Sequence, residues 1–297
     1  MLDLTEDLSA EELSNEQYHH HVAVSASTLK RVLFEDETYE VANNIQTEQT
    51  PAMKFGTLAH CLILEPHKFD DEYIVMPKVD LRTTVGKETK AKFETLACGK
   101  EIIMETDYQR ALDCVSAIKE DGVYDRLIAG GESEVRFFTT FKDIPLFNEM
   151  GTEIIGYEDA DVRGMVDNIN RPERRISDLK MTQTFGAAFA RECAKRGHGL
   201  QLAFYNDLAG DIVDRLIIGV QSVPPHKVTI VRVSQNEIET GRDFYSVGLS
   251  LMLDIKKYPH KYKSRLCYNR ANESVIFDYE TPFWQHLQID KLRKQGE

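Results

Sequence analysis

Asp167 closes the segment Gly164-Met165-Val166-Asp167, and Asp178-Leu179-Lys180 begins eleven residues later. Two carboxylates and a lysine so spaced could hold a divalent cation against a phosphodiester and hydrolyse it. Carboxylates that close repel unless a cation or a proton sits between them. A set of hard oxygen ligands suits magnesium or manganese better than zinc. The run Asn168-Ile169-Asn170-Arg171-Pro172-Glu173 has the composition of a turn. After it, Arg174 to Met181 alternates as a strand does, with Asp178 and Lys180 on one face and Leu179 and Met181 on the other. Asp161 to Asn168 reads as the preceding strand. A hairpin about Arg171 would bring Asp167 diagonally near Asp178, within reach of one shared cation. An Asp-x-Lys on a strand is more often a solvated face than a reactive pair, so the weight falls on what surrounds it.

The elements that must position these groups can be read along the chain. Ser25-Ala26-Ser27 looks like a helix start, with Thr28 to Leu33 following. Phe55, Leu58, Ala59, Leu62 and Ile63 recur at helical spacing until Pro66 stops the run, and Cys61 and Leu64 extend apolar character to the other side. That helix is expected to be buried all round. His60 inside it is either a hydrogen-bonded core histidine or a neutral imidazole poised to act as a ligand. Residues 80–95 are polar, with Arg82, Lys87, Lys90 and Lys92, and read as a loop. A helix over 105–121 should turn Ala111, Leu112, Val115 and Ile118 inward, and Glu134 to Phe141 reads as a strand. Phe185 to Arg196 is helix-like, with Arg191, Lys195 and Arg196 on its polar part and Gly197 and Gly199 ending it. Leu200 to Leu208 forms a further helix with Gln201 and Tyr205, four apart, on one face. Val228 to Val233 is a late strand, followed by helix to about residue 258.

Composition sets the limits. With 297 residues, 42% hydrophobic and 29% charged, the chain has ample material for a buried core. Residues 1–24 are acidic and polar and read as a flexible N-terminal arm, leaving 25–297 as one domain. The adjacent His19, His20 and His21 do not converge easily on one ion and are expected in exposed coil. The net charge of −13 argues against a protein that coats nucleic acid nonspecifically, though not against a narrow, locally basic channel. Five scattered cysteines with no CxxC argue against a disulfide framework, a zinc ribbon or an iron–sulfur cluster. No apolar run reaches the ~20 residues of a membrane span, and the N-terminus has no signal-peptide pattern, so no membrane association and a cytoplasmic location are expected. The absence of a GxxxxGK[ST] loop argues against an ATP-driven motor.

Taken in order, these pieces resemble the PD-(D/E)XK nucleases, and in particular their RecE-type (exonuclease VIII-like) branch, which is related to lambda exonuclease. The resemblance rests on Phe55-Gly56-Thr57-Leu58-Ala59-His60-Cys61-Leu62-Ile63-Leu64-Glu65-Pro66, Glu132-Ser133-Glu134-Val135, Val162-Arg163-Gly164-Met165-Val166-Asp167, Ile176-Ser177-Asp178-Leu179-Lys180 and Leu200-Gln201-Leu202-Ala203-Phe204-Tyr205. It spans roughly residues 20–250, with core motifs over 55–208. It implies an α/β fold with a central mixed β-sheet flanked by α-helices. It also implies that Asp167, Asp178 and the carbonyl of Leu179 hold the main metal. His60 and Glu134 would be additional ligands for a second ion, so that one or two Mg2+ ions, or Mn2+ as substitute, serve the site. Lys180 matches the lysine that orients or deprotonates the attacking water; Gln201 and Tyr205 match the QxxxY helix beside the DNA backbone.

One departure stands out: Met165-Val166 occupies the place where relatives often have Arg-Pro. Arg163, on the same strand face as Asp167, is a candidate for the missing cation, and Arg191, Lys195 and Arg196 are candidates for contact with DNA. The activity implied is hydrolysis of linear double-stranded DNA from an end, 5′ to 3′, in recombination of the phage or prophage type. The partners implied are a single-strand annealing protein and further copies of the chain in a ring, trimer or tetramer. Two other readings keep the fold: a structure-specific or single-strand nuclease using the same site, and a catalytically inactive module that binds DNA or protein.

Overall fold

The computed structural model describes residues 17–18, 21–34, 49–80, 82–148, 153–258, 266–269 and 274–277. Its centre is a mixed sheet. Strands β1 (Val24–Ser25), β4 (Glu132–Phe147), β5 (Ile154–Asn170), β6 (Arg175–Thr182), β7 (Asp214–Gln221) and β8 (Val228–Arg232) compose it, and two parallel strands, β2 (Tyr73–Met76) and β3 (Glu101–Met104), form a separate small sheet. The expected hairpin is present: β5 and β6 are antiparallel about the turn at 171–174, with Asn168 opposite Ser177, Ile169 opposite Ile176 and Asn170 opposite Arg175. β6 then runs parallel to β7, Asp178 beside Ile217 and Lys180 beside Gly219, and β8 closes that side antiparallel to β7.

β5 is the strand that organises the site. One of its edges pairs with β4 over nearly the whole length, from Glu132 opposite Ile169 to Phe147 opposite Ile154. Its other edge carries two short pairings, with β1 at Val162 and Arg163 and with β6 from Asn168 onward. Among the described residues, Gly164, Met165, Val166 and Asp167 therefore lie on an edge with no strand opposite. The motif that drew attention in the sequence sits in a gap in the ladder.

Helices cover both faces, as a mixed sheet buried on two sides requires. On one face lie α1 (Ala26–Phe34), α6 (Ala187–Lys195), α7 (His198–Ala209) and α8 (Gln235–Lys257), whose Leu29, Phe189, Leu202, Phe204, Ile238 and Leu249 pack with Val162, Val166, Ile176 and Ile217 of the sheet. On the other lie α2 (Pro51–Leu64) and α5 (Glu105–Glu120), whose Leu58, Ile63, Ala111 and Ile118 pack with Leu179, Ile218 and Val220. Ile176 and Leu179 on β6, and Ile217 and Ile218 on β7, feed opposite layers, as the two-residue period of a strand demands. α7 is buried from His198 to Asn206, apolar on every side and held between sheet and α8. Each fully buried Leu or Phe there contributes roughly 1.5–3 kcal/mol.

Three sequence expectations need correction. Residues 84–97 are not loop but helix α4 (Thr84–Ala97), started by the Thr83 hydroxyl accepting from the Gly86 N–H at 3.0 Å; only Gly86 and Ala97 are buried, so no apolar stripe announces it. The strand that follows α7 is β7, ahead of the expected late strand at 228. Its Leu-Ile-Ile-Gly-Val core is an unbroken apolar run without alternation, because β7 is covered on both faces. α2 is enclosed only in its later turns, while Pro51, Ala52, Met53 and Lys54 are exposed. The arm read over 1–24 falls largely outside the described residues, as do His19 and His20. Tyr18 and Ala23 are buried, Val24 pairs with Val162, and the His21 ring rests edge-on against Phe138 at 4.7 Å. Among the described residues no helix is long and apolar enough to cross a membrane.

Candidate metal centre and active site

Where β5 and β6 part, side chains replace the backbone ladder. The N–H of Leu179 donates not to a β5 carbonyl but to Oδ2 of Asp167 at 2.7 Å. Asp167 and Asp178 face each other across the opening, as the hairpin predicted, and Nζ of Lys180 lies between them, 2.6 Å from Asp178 Oδ2 and 3.9 Å from Asp167 Oδ2. The ammonium thus sits between the two carboxylates, where sequence reasoning put a shared cation.

From the opposite side, α2 delivers His60 and β4 delivers Glu134. The His60 Nε2 lies 2.9 Å from the carbonyl of Leu179, which can only accept, so Nε2 is the donor. Nδ1 then faces Glu134 Oε1 at 3.6 Å and Asp167 Oδ2 at 3.9 Å. A metal-binding imidazole usually has this arrangement, one nitrogen donating to a carbonyl and the other directed at the ion. Glu134 stands across from Asp167 in the β4–β5 register, between the pairs Ser133–Asn168 and Val135–Val166, but with a φ of 52°. A non-glycine residue in that left-handed region inside a strand is strained, and such strain collects at sites that use it.

The residues present fit a divalent cation. Ligand atoms of His60, Glu134 and Asp167 all lie within 4.8 Å of one another. Asp178 Oδ2, in a side chain only 1% exposed, is paired with Lys180 Nζ at 2.6 Å and keeps lone-pair capacity that an ion could use. The Leu179 carbonyl accepts from His60 at 2.9 Å and from Lys180 Nζ at 3.2 Å, so the role assigned to it by resemblance requires the ammonium to give way to the ion.

The electrostatics describe a site short of positive charge. Burial pushes the Asp167 carboxyl well above the usual range, and Asp178 and Glu134 add to the shift, against Lys180 and His60. Burial acts the same way on Asp178, but Lys180 at contact distance, with His198 and Lys30 behind it, leaves that carboxyl below its ordinary value. The two carboxylates diverge because the ammonium is closer to one. Burial pulls Lys180 down, but Asp178 and Asp167 more than reverse this and hold it charged. Burial likewise lowers His60, and Asp167 and Glu134 outweigh it.

α7 supplies the floor. Gln201 Nε2 donates to Asp178 Oδ1 at 3.1 Å and to the Tyr205 hydroxyl at 3.0 Å, which is how two polar residues are tolerated on an otherwise apolar helix. The helix comes this close because residue 164 is glycine; a Cβ there would overlap Leu208 and crowd the Tyr205 ring. Arg163 is buried, its Nε donating to the Ala23 carbonyl at 3.2 Å and its guanidinium lying 4.7 Å over the Tyr18 ring. Arg191, Lys195 and Arg196 are exposed on and just after α6, Arg196 paired with Glu192 at 2.9 Å. Two neighbours of the site escaped sequence reading, Lys30 of α1 and His198 at the start of α7. Both contact Gln201, and no local spacing links residue 30 to residue 201.

A mixed sheet carrying two carboxylates and a lysine on a splayed hairpin, backed by a Gln-Tyr helix, defines a PD-(D/E)XK-type fold. Residues 25–267 match the model of the PDDEXK-like domain of unknown function (DUF3799), and the chain belongs to that family. Among solved structures, a candidate exonuclease from Eubacterium rectale is similar at a TM-score of 0.54 and 14% identity, over 85% of this chain and 87% of that one. A phage-related exonuclease from Haemophilus somnus 129PT aligns over 74% of this chain and 98% of its own, at 16% identity and a TM-score of 0.34. A search of the curated proteins finds no match.

Proposed function

We propose that the chain is a metal-dependent deoxyribonuclease that degrades linear double-stranded DNA from an end, in the 5′ to 3′ direction, as its resemblance to the RecE branch implies. The observation that carries this reading is the convergence of His60, Glu134, Asp167, Asp178 and Lys180, from four elements, on the gap where β5 and β6 separate. Mg2+, with Mn2+ as substitute, would be held by Asp167, Asp178 and the Leu179 carbonyl, and a second ion by His60 and Glu134. Bound there, divalent ions would lower the pKa of an attacking water and offset charge on the phosphate.

The chain's own residues do the rest. Lys180, held charged by its two carboxylates, orients the water and stabilises charge developing on the phosphoryl oxygens. Gln201 and Tyr205 keep Asp178 from rotating away. Leu179 and the α2 wall close the far side and limit water. Arg191, Lys195 and Arg196 would add backbone contacts whose strength falls with salt. In this role the protein would act as a homo-oligomer, leaving a 3′ single strand for an annealing protein in recombination.

The test is cleavage of end-labelled linear duplex beside covalently closed circles, with Mg2+ and with chelator. Loss of the linear DNA alone, dependent on metal and abolished in a folded Asp178→Asn variant, is the expected result. Cutting of circles would instead make it an endonuclease. Cleavage by Asp178→Asn at the wild-type rate would refute the site.

A further inference from the structure

Gln201 has its hydrogen-bonding capacity committed. Its Nε2 serves Asp178 and Tyr205, while its Oε1 accepts from Nζ of Lys30 at 2.6 Å and faces Nδ1 of His198 at 3.3 Å. The orientation of a side-chain amide is ordinarily ambiguous, but here chemistry fixes it. An ammonium has only donors, so the oxygen must face Lys30; a carboxylate has only acceptors, so the nitrogen must face Asp178. His198 cannot serve as the anchor by itself. Burial, with Lys30 and Lys180 nearby, lowers it to about 4, and the neutral ring can present either a donor or an acceptor at Nδ1. Lys30 is therefore the charged anchor of the oxygen end of the amide, as Asp178 is the partner of its nitrogen end.

We propose that Lys30 is a positioning residue for the metal centre, acting through Gln201 to hold the Asp178 carboxylate in its ligating orientation. The inference rests on the nuclease reading above, and it assigns to α1, an element far away in sequence, a part in building the site. With Lys30 removed, Oε1 loses its charged donor and the amide is held from the nitrogen end alone, so Gln201 can swing and its grip on the Asp178 carboxylate loosens. Loss of an outer support of a metal ligand typically costs roughly 10–100-fold in metal affinity or activity.

The experiment is a double-mutant cycle with Lys30→Met and Gln201→Leu, read by kcat and KM on linear duplex and, without DNA, by Mn2+ affinity from calorimetry. Lys30→Met should lower kcat and weaken Mn2+ binding by about 10–100-fold with KM little changed. It should add less than about twofold in the Gln201→Leu background, as coupled residues do. Lys30→Arg, which can still donate to Oε1, should recover most of the loss. If Lys30→Met does not fold, Lys30→Gln carries the same comparison. Unchanged kcat and Mn2+ affinity in a folded variant overturn the proposal. Fully multiplicative losses with a raised KM also overturn it, since they would mean that Lys30 contacts DNA directly. A wild-type protein that neither binds Mn2+ nor cleaves DNA overturns the reading of the site, and this proposal with it.

Discussion

Lys180→Met should destabilise the metal-free protein by an amount that depends on pH and is relieved by a cation. The side chain keeps its length and apolar stem, so what is lost is the ammonium between two buried carboxylates. At an effective dielectric near 20, charges at the observed 2.6 Å and 3.9 Å interact by about 6 and about 4 kcal/mol. The net cost is smaller, because a stranded carboxylate can take up a proton instead. Holding a carboxyl with an ordinary pKa of about 3.9 protonated at pH 7 costs about 3 units at about 1.4 kcal/mol each, a ceiling near 4 kcal/mol. At pH 5 the same ceiling is about 1.5 kcal/mol. The sign follows: in the variant a carboxyl is raised above its unfolded value, so the penalty grows as pH rises and fades as it falls. Urea unfolding of wild type and variant at both pH values, with EDTA and with saturating Mg2+, measures this. The expected result is a penalty of about 3–4 kcal/mol at pH 7 in EDTA, shrinking at pH 5 and with Mg2+. A variant as stable as wild type in EDTA at pH 7, or a penalty that does not shrink on acidification, would refute the account of Lys180 as the stand-in cation.

Other consequences lie away from the centre. Asp207 accepts from Arg242 at 2.8 and 2.6 Å and from the Tyr245 hydroxyl at 2.5 Å, tying α7 to α8. Burial opposes its ionisation, but these bonds leave its pKa below the ordinary value, so it stabilises above the unfolded pKa and loses that contribution as pH falls through the folded one. Asp207→Asn should cost about 2 kcal/mol near neutrality and almost nothing in strong acid, read from the unfolding midpoint. A Cβ on Gly219, beside Lys180 in the β6–β7 register, would overlap the Phe189 ring. Gly219→Ala should therefore push α6 outward, at about 1–3 kcal/mol in thermal or denaturant unfolding. Wild-type stability in that variant would show that α6 yields freely.

Much of the site was legible because its chemistry is local. Asp167, the turn and Asp178 lie within one hairpin, and alternation alone put Asp178 with Lys180 and Leu179 in the opposite layer. His60 and Glu134 needed the family resemblance, since nothing in their own neighbourhood says that α2 and β4 meet at β5. Lys30 and His198 were invisible for the same reason in stronger form; their partner Gln201 is reached only through tertiary packing. The fold failed to read where patterns are weakest. α4 has almost no buried face, and β7 is buried on both, so neither shows the half-and-half signal that periodicity detects. The left-handed φ at Glu134 had no glycine to announce it.

The pairing of only three residues between β5 and β6 has a mechanical meaning. It divides the central sheet into two rafts, β1, β4 and β5 on one side and β6, β7 and β8 on the other, stitched at the hairpin end. Glu134 and Asp167 ride on the first raft, Asp178 and Lys180 on the second. An ion gripped by both would act as a clasp across the seam, tightening the joint while drawing its strength from correct docking of the halves. The centre is then also an assembly check. In a molecule whose rafts had not closed, the carboxylates of the two halves would lie too far apart to share an ion, so metal binding would report completed folding.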